Sequence, residues 1–553
     1  MLHRTDSQAI KLVPVPELLD ASVAQFGNRP ALNFLGRQWT YAALGTLVKK
    51  VAAGLQAEGV GPGVKVGLCL PNTPYSVIFF FAVMKAGGTV VNYSPLYVER
   101  ELRHQIRDSG TTMMVVPDLK LIHARVAAVA REAGLKQIIV CPMAGILPAA
   151  KALLFTLFKR RERAEYHPGD GLHLAYASLL RHGAVPRPVA IDPLHDIAVL
   201  QYTGGTTGVP KGAMLTHANI SANAQQVMEH AQCQRLGIRR VVAVLPLFHV
   251  FAMQTAMVIP IRLGVEILLI PRFILTDLLD TIEREKPDMF PGVPTIFTAI
   301  NGSEDVEKRD LSSLSLCISG GAPLPNEVRE RFEALTGCKL VEGYGLSEAS
   351  PVVTTNPPLG VVKDGSVGSA LPQTVIEIHD LAAPRRQVGV GEKGEVYVRG
   401  PQVMRGYYNR PEETADIFLD GALRTGDVGY LDEDGYLFLV DRIKDVILCG
   451  GYNVYPRIIE EALYLHPAVA EAVAIGISDP YRGQAPKAFV TVRAGMHATP
   501  EELMDFLSGQ ISKIEMPKAI EIRDQLPKSV VGKLSKKELV DEERRNSVSQ
   551  NYG

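Results

Sequence analysis

Between residues 64 and 360, short apolar runs alternate with helical stretches, and this alternation constrains the fold more than any other feature of the chain. Residues 64–70 read as an apolar strand and residues 74–86 as a helix with an apolar face. Strand signals recur at 112–116, 136–140, 240–245, 265–270 and 314–319. Strands that are apolar along their whole length are covered on both faces, so helices must pack on largely parallel sheets. The expected class is therefore α/β. The chain before this region reads as a helix, a strand at 30–34 and a helix over 42–58. From about 360 to 440 the pattern changes to short strands, such as 395–399 and 435–440, set between Gly/Asp turns, which suggests a small β subdomain. The charged run 441–446 is placed as a boundary, with a further helix/strand cycle after it. At 553 residues the chain is too long for one ordinary core.

The run YTGGTTGVPKG at 202–212 holds four glycines, three threonines and a lysine. It follows the strand signal at 196–201. A strand running into a Gly/Thr-rich loop suits polyphosphate. Glycines let backbone N–H groups approach the anion, hydroxyls donate further hydrogen bonds, and a lysine adds a point charge. The spacing is not that of the P-loop NTPases. Lys211 precedes Gly212, so no neighbouring hydroxyl can hold a metal. A plain surface loop would lack both the preceding strand and the Pro-Lys-Gly exit.

Three other segments could carry chemistry. EGYGLSE at 342–348 offers a tyrosine face to a base, a serine hydroxyl to an anion and, in Glu348, a hard oxygen suited to Mg²⁺. RTGDVG at 424–429 puts one carboxylate in a tight turn, which suits a ribose diol, although turn-capping aspartates are common. LPKSVVGKLSKK at 526–537 is lysine-rich, and spacing alone does not separate a working lysine from solvated surface.

Other classes are excluded or disfavoured. The formal net charge of −1 provides no field for nucleic acid. The six cysteines, at 69, 141, 233, 317, 338 and 449, form no C-x-x-C pair, which fits a reducing compartment. No secretory leader is expected from the polar start. No apolar run reaches the roughly 20 residues of a membrane span. A cytoplasmic chain is expected. Residues 145–164 combine leucines and phenylalanines with KRRER at 159–163. Either a helix packed on the domain with a solvated basic end or a membrane-interface segment fits them, and the packed helix is the preferred expectation.

Taken in order, these segments resemble the adenylate-forming acyl-CoA synthetase superfamily. The resemblance covers about residues 16 to 540 and rests on YTGGTTGVPKG, PLFHVF at 246–251, SGGAPL at 319–324, EGYGLSE, TGD at 425–427, DRIKDVILCGGYNVYP at 441–456 and LPKSVVGKL at 526–534. Within it, the chain is most similar to bacterial long-chain fatty acid–CoA ligases. The resemblance implies a large N-terminal domain (1–440) of two helix-flanked sheets with a small β-barrel subdomain. It also implies a hinge at 441–446 around Lys444 and a mobile α+β C-terminal domain (447–553).

The implied substrates are ATP, a medium- to long-chain fatty acid and coenzyme A, with Mg²⁺ as the metal. Thr203, Gly204, Gly205, Thr206, Thr207 and Lys211 would take the β- and γ-phosphates. Tyr344 would lie against adenine beside Gly320, Gly321 and Ala322, with Glu342 and Gly343 preceding it. Ser347 would meet the α-phosphate and the carboxylate, and Glu348 would bind the metal. Asp427 and Arg442 would hold the ribose, and Lys533 would be the adenylation lysine. His249 would stand at the acyl entrance. Gly450, Gly451 and Tyr452 would line the CoA path after the domain turns. Contact with the inner membrane and a homodimer are left open.

The chain departs from the family pattern at Ser347, where Thr is usual, and at Ser369-Ala370, where the fatty acid branch has Leu-Pro. It also has Ile458 where an acid is common, and its only tryptophan is Trp39. These departures bear on chain length rather than on reaction class. A ligase for aryl or other acids, an acyl-AMP ligase loading a carrier protein, and a lipid-responsive binding protein on the same fold remain alternatives. No carrier domain is expected after Lys533. No carboxylate follows Phe248 to meet an amino acid's ammonium. Lys211, Glu348, Asp427 and Lys533 are all present, which disfavours a catalytically dead fold.

Overall fold

The computed structural model describes residues 10–183, 185–203, 210–450, 452–529 and 532–550. Among them the strands form four sheets. The first runs His173–Ala175, Gln137–Cys141, Met113–Pro117, Lys65–Leu68, Thr89–Asn92, Ile197–Thr203 and Lys211–Thr216 in spatial order. Its neighbours are parallel except for the last pair, an antiparallel hairpin. The second has nine strands. Its parallel body is Lys339–Gly345, Leu316–Gly320, Met289–Gly292, Arg240–Ala243, Glu266–Leu269 and Pro30–Phe34, with antiparallel strands at both margins.

One continuous core joins the two large sheets. It contains helix Pro74–Lys85, in which every residue from Pro74 to Met84 is buried. A helix apolar all round has no solvent face and belongs inside. Helices Glu99–Ser109 and Lys120–Ala133 cover the other face of the first sheet through Leu102, Ile106, Val126 and Val129. The expected strands lie where the apolar runs put them, because a run covered on both faces can pair in only one way without exposing itself.

The third sheet is antiparallel and comprises Val375–His379, Gly394–Arg399, Phe418–Leu419, Ala422–Leu431 and Leu437–Arg442. Its small core is shared with Tyr344. The fourth sheet, over residues 447–522, has its own core with helices Pro456–Tyr464 and Pro500–Ser508.

Two segments differ from expectation in detail. The charged run at 441 is not a break from its first residue. Strand Leu437–Arg442 extends two residues into it, with Arg442 registered on Asp427. Residues 149–158 do form a helix, but none of its residues is buried, and only Ala152 and Phe155 pack against the core. Among the described residues, no helix is long and apolar enough to cross a membrane.

Candidate active site

In parallel sheets the loops at the carboxyl ends of the strands are free to build a site, and Thr203, Gly320 and Gly321 lie there. Strand Ile197–Thr203 delivers Thr203, whose backbone pairs with Lys211 across the hairpin. Gly204, Gly205, Thr206 and Thr207 lie outside the described residues. Lys211 forms an ion pair with Glu413 and stands 5.3 Å from the centre of the Tyr407 ring. The Tyr407 hydroxyl donates to Glu348 Oε1 at 2.7 Å. Lys211, Glu413, Tyr407 and Glu348 thus form one contiguous polar group. Ser347 and Glu348 open the short turn that follows strand Lys339–Gly345.

A second group lies on the third sheet. Thr425 Oγ1 accepts the Asp427 N–H and shapes the turn at Gly426, whose φ is +70°. Asp427 is buried, and both of its oxygens are engaged. Arg442 Nε donates to Oδ1 at 2.7 Å, and the Tyr344 hydroxyl donates to Oδ2 at 2.6 Å. Burial and the Asp427 carboxylate beside it raise the Tyr344 phenol far above its ordinary value.

Lys533 lies beside the second group, near Arg442. It projects from a turn closed by Ser529 N–H to Lys533 O at 2.7 Å and Gly532 N–H to Ser529 O at 2.8 Å. Thr295, on helix Pro294–Asn301, donates to Gly532 O at 2.6 Å and fastens the turn to the N-terminal part of the chain. The neighbouring lysines have other partners: Lys528 pairs with Glu471 at 2.6 Å and Lys536 with Glu460 at 3.0 Å. Lys533 instead lies over Gly321. A Cβ built on Gly321 would sit 2.6 Å from Lys533 Nζ, and the glycine's φ is +85°. Only glycine suits both the backbone and the space.

Burial, and then the Arg442 cation, bring the Lys533 ammonium down to about 8. Burial, and then Lys533, bring His249 down to about 3, so its imidazole is neutral. His249 caps helix Val250–Met253, accepting the Phe251 N–H at 3.3 Å. The Phe251 ring closes against Gly320. Arg442 is neutralised by Asp427, and His249 is neutral, so Lys533 has no carboxylate paired with it among the described residues and can take up an anion.

Glu342 is buried beneath this region. Its Oε1 accepts the Leu324 N–H at 3.3 Å, and burial lifts its carboxyl to about 7 against the opposing pull of Arg457. Gly343 precedes Tyr344 in the same strand. Ala322 follows Gly321 in the turn after strand Leu316–Gly320. Lys444 is exposed in the turn Ile443–Asp445, and Gly450 and Tyr452 are exposed in the hairpin that follows, away from the groups just described. Gly451 lies outside the described residues.

Among those residues no three His, Cys, Asp or Glu side chains converge as a metal cage. Glu348 nonetheless keeps Oε2 beside its tyrosine-bound Oε1. A single carboxylate oxygen completed by substrate phosphates is how Mg²⁺ is commonly held, so the residues present fit it.

Residue patterns did not single out Thr295, Tyr407 or Glu413. Tyr407 and Glu413 belong to the GYYNRPEET stretch, whose paired aromatics and acids were a usable signal. Thr295 left none.

The AMP-binding enzyme model matches residues 19–408, and the AMP-binding enzyme C-terminal domain matches residues 458–533. The chain belongs to the AMP-binding enzyme family. It is 42% identical over 543 residues to a long-chain-fatty-acid–CoA ligase of Bacillus subtilis, covering 96% of this chain and 94% of that one. It is 38% identical over 537 residues to the enzyme of that name from Escherichia coli O157:H7, with coverage of 96% and 94%. Among solved structures it is similar to the anthranilate CoA ligase AuaEII in complex with anthranoyl-AMP. The TM-score is 0.83 at 25% identity, over 98% of this chain and 99% of that one.

Proposed function

We propose that this protein activates a medium- to long-chain fatty acid with ATP, forming acyl-AMP and pyrophosphate, and then passes the acyl group to coenzyme A with release of AMP. The observation that carries this reading is Lys533, which lies buried against Gly321 with the Arg442 cation and His249 beside it and is brought down to about 8. An anion placed there restores the ammonium. The site is therefore arranged for the moment when a carboxylate and a triphosphate, which repel one another, must meet.

In the first half-reaction, Thr203, Thr206, Thr207 and Lys211, with the backbone of Gly204 and Gly205, hold the β- and γ-phosphates. Lys211 then exchanges its Glu413 partner for phosphate. Tyr344 lies against adenine beside Gly320–Ala322, on the strand that carries Glu342 and Gly343. Asp427, with Arg442, takes the ribose hydroxyls. Glu348 would hold Mg²⁺, which supplies charge neutralisation on the phosphates when bound. His249 lines the acyl entrance. Ser347 donates to the carboxylate and the α-phosphate as a carboxylate oxygen attacks the α-phosphorus. The bond to the bridging oxygen breaks and pyrophosphate leaves, with Lys533 stabilising the charge that develops.

The chain divides into an N-terminal body (1–440), a hinge (441–446) and a C-terminal domain (447–553). Rotation at Lys444 withdraws Lys533 and brings Gly450, Gly451 and Tyr452 to the CoA thiol. The thiolate attacks the acyl carbonyl, and AMP departs. Peripheral contact with a membrane belongs to this reading, since the substrate is a lipid.

The test is purified protein with ATP, Mg²⁺ and acids from acetate to oleate, plus coumarate and benzoate, with and without CoA. CoA-dependent thioester formation peaking at C12–C18 is expected. A peak at coumarate or benzoate would assign an aryl acid instead, the class favoured by the likeness to the anthranoyl-AMP complex. Acyl-AMP that accumulates without transfer to CoA would replace CoA with a carrier protein.

A further inference from the structure

Helix Ala149–Phe158 has its apolar face turned the wrong way for a packed helix. Ala152 and Phe155 touch the core, while Leu153, Leu154, Leu157 and Phe158 are 61%, 54%, 63% and 76% exposed. At 100° per residue these four fall within an arc of about 140°, a single continuous stripe. Large apolar side chains gain free energy by leaving water, so a stripe of four left in solvent marks a docking surface rather than chance exposure. At ten residues the helix is half the length needed to span a bilayer.

Basic residues flank the stripe. Lys159, Arg160 and Arg161 are all exposed at its end. Glu162 pairs with Lys159, and Arg163 is held by Asp118 at 3.2 Å. Apolar side chains beside exposed arginines complement a surface whose headgroups are anionic and whose interior is hydrocarbon. A protein partner would not need both at once.

The position of the helix gives the surface a purpose. It is reached from the carboxyl end of strand Gln137–Cys141, and Lys151 Nζ donates at 2.9 Å to Leu35 O, just past the carboxyl end of strand Pro30–Phe34. Both strands run parallel to those that end in Thr203 and Gly320. The stripe therefore lies on the edge of the molecule that carries the site. We propose that helix Ala149–Phe158 and the turn after it dock this protein on an anionic lipid bilayer, lying in the headgroup region and facing the site's edge toward the leaflet that holds its substrate. This deepens the fatty acid reading and rests on it for the choice of occupant, but its test does not depend on ligase activity.

The experiment is co-sedimentation of the full chain with vesicles of phosphatidylcholine alone and of phosphatidylcholine with 30% phosphatidylglycerol. The wild type is expected to pellet with the anionic vesicles and to be partly released by 0.5 M salt. L157S/F158S should lower the partition coefficient at least about tenfold, and R160E/R161E should abolish the preference for the anionic vesicles. Both variants alter exposed residues, so their melting temperatures should match the wild type. Wild type left in the supernatant with both vesicles overturns the proposal. So does L157S/F158S pelleting like the wild type. A wild-type dimer that L157S/F158S converts to monomer, without vesicle binding, would show that a second copy covers the stripe. A chain that binds vesicles but makes no acyl-CoA would sink the fatty acid reading alone.

Discussion

At the residue scale, Lys533 shows what a sequence can and cannot reveal. The stretch 526–537 contains four lysines, and nothing in their spacing ranks them. The structure ranks them by partner: Lys528 and Lys536 find glutamates on neighbouring elements, whereas Lys533 meets a glycine and a second cation. Those partners come from remote parts of the chain, which is why spacing alone does not reveal them. On the proposed mechanism the ammonium is the working form, and its value is about 8, so pyrophosphate release without CoA should have kcat/KM for ATP level below pH 8. Above it, the value should fall by about tenfold per pH unit. A profile flat to pH 9.5 would contradict this.

Glu342 gives a second titration. Its value in the folded protein, about 7, lies above the ordinary 4.5, so between those limits the folded chain binds a proton that the unfolded chain releases. Stability should fall as pH rises from 4.5 to 7 and level off above. Glu342→Gln keeps the oxygen that accepts from Leu324 and removes the charge. It should flatten that slope and raise stability at pH 8 by at most about 3 kcal/mol. Melting temperatures measured from pH 5 to 8 check this, and parallel profiles for the two proteins would refute it.

At the scale of elements, most of the fold was legible because its strands are covered on both faces. The run at 30–34 is a strand with the bounds expected from sequence, and the 112–116, 136–140 and 314–319 runs are displaced by one or two residues. Residues 74–86 are expected as a helix with an apolar face; helix Pro74–Lys85 is instead buried on every side, because it sits inside the core that joins the two large sheets. Helix Ala149–Phe158 was legible as a helix, but its orientation was not. The same apolar stripe serves a core or a membrane, and only the position of Ala152 and Phe155 against the core shows which way it faces.

The turn after strand Leu316–Gly320 carries a prediction of its own. Gly321→Ala both strains a left-handed backbone and drives a methyl into Lys533. Acyl-AMP formation should drop at least about a hundredfold. Transfer of supplied acyl-AMP to CoA should drop far less, because that step does not use the lysine. Equal losses in the two steps would mean that the turn supports the fold rather than the lysine.

For the whole molecule, the chain is captured with its C-terminal sheet seated on the body. Among the described residues, the contacts that hold the seat are mostly polar, with Lys393 over the Tyr455 ring at 5.5 Å. Thr295 grips Gly532, Arg493 pairs with Glu327 at 2.6 Å, and Arg457 reaches Leu439 O at 2.8 Å and Asp441 across the Lys444 turn. These contacts are polar and mostly peripheral, unlike the continuous core that joins the two large sheets. A polar seat of this kind is readily exchanged for another arrangement. The charged run at 441 suggests a boundary, but strand Leu437–Arg442 continues into it, and these contacts join residues far apart in the chain, where no sequence pattern shows them. The central claim is that this seated arrangement serves adenylate formation alone, with Lys533 as its working cation. The most direct measurement is Lys533→Ala assayed in two halves: pyrophosphate release from ATP and palmitate, and CoA thioester formation from supplied palmitoyl-AMP. The account predicts a loss of about 100- to 1000-fold in the first and little change in the second; an equal loss in both would contradict it.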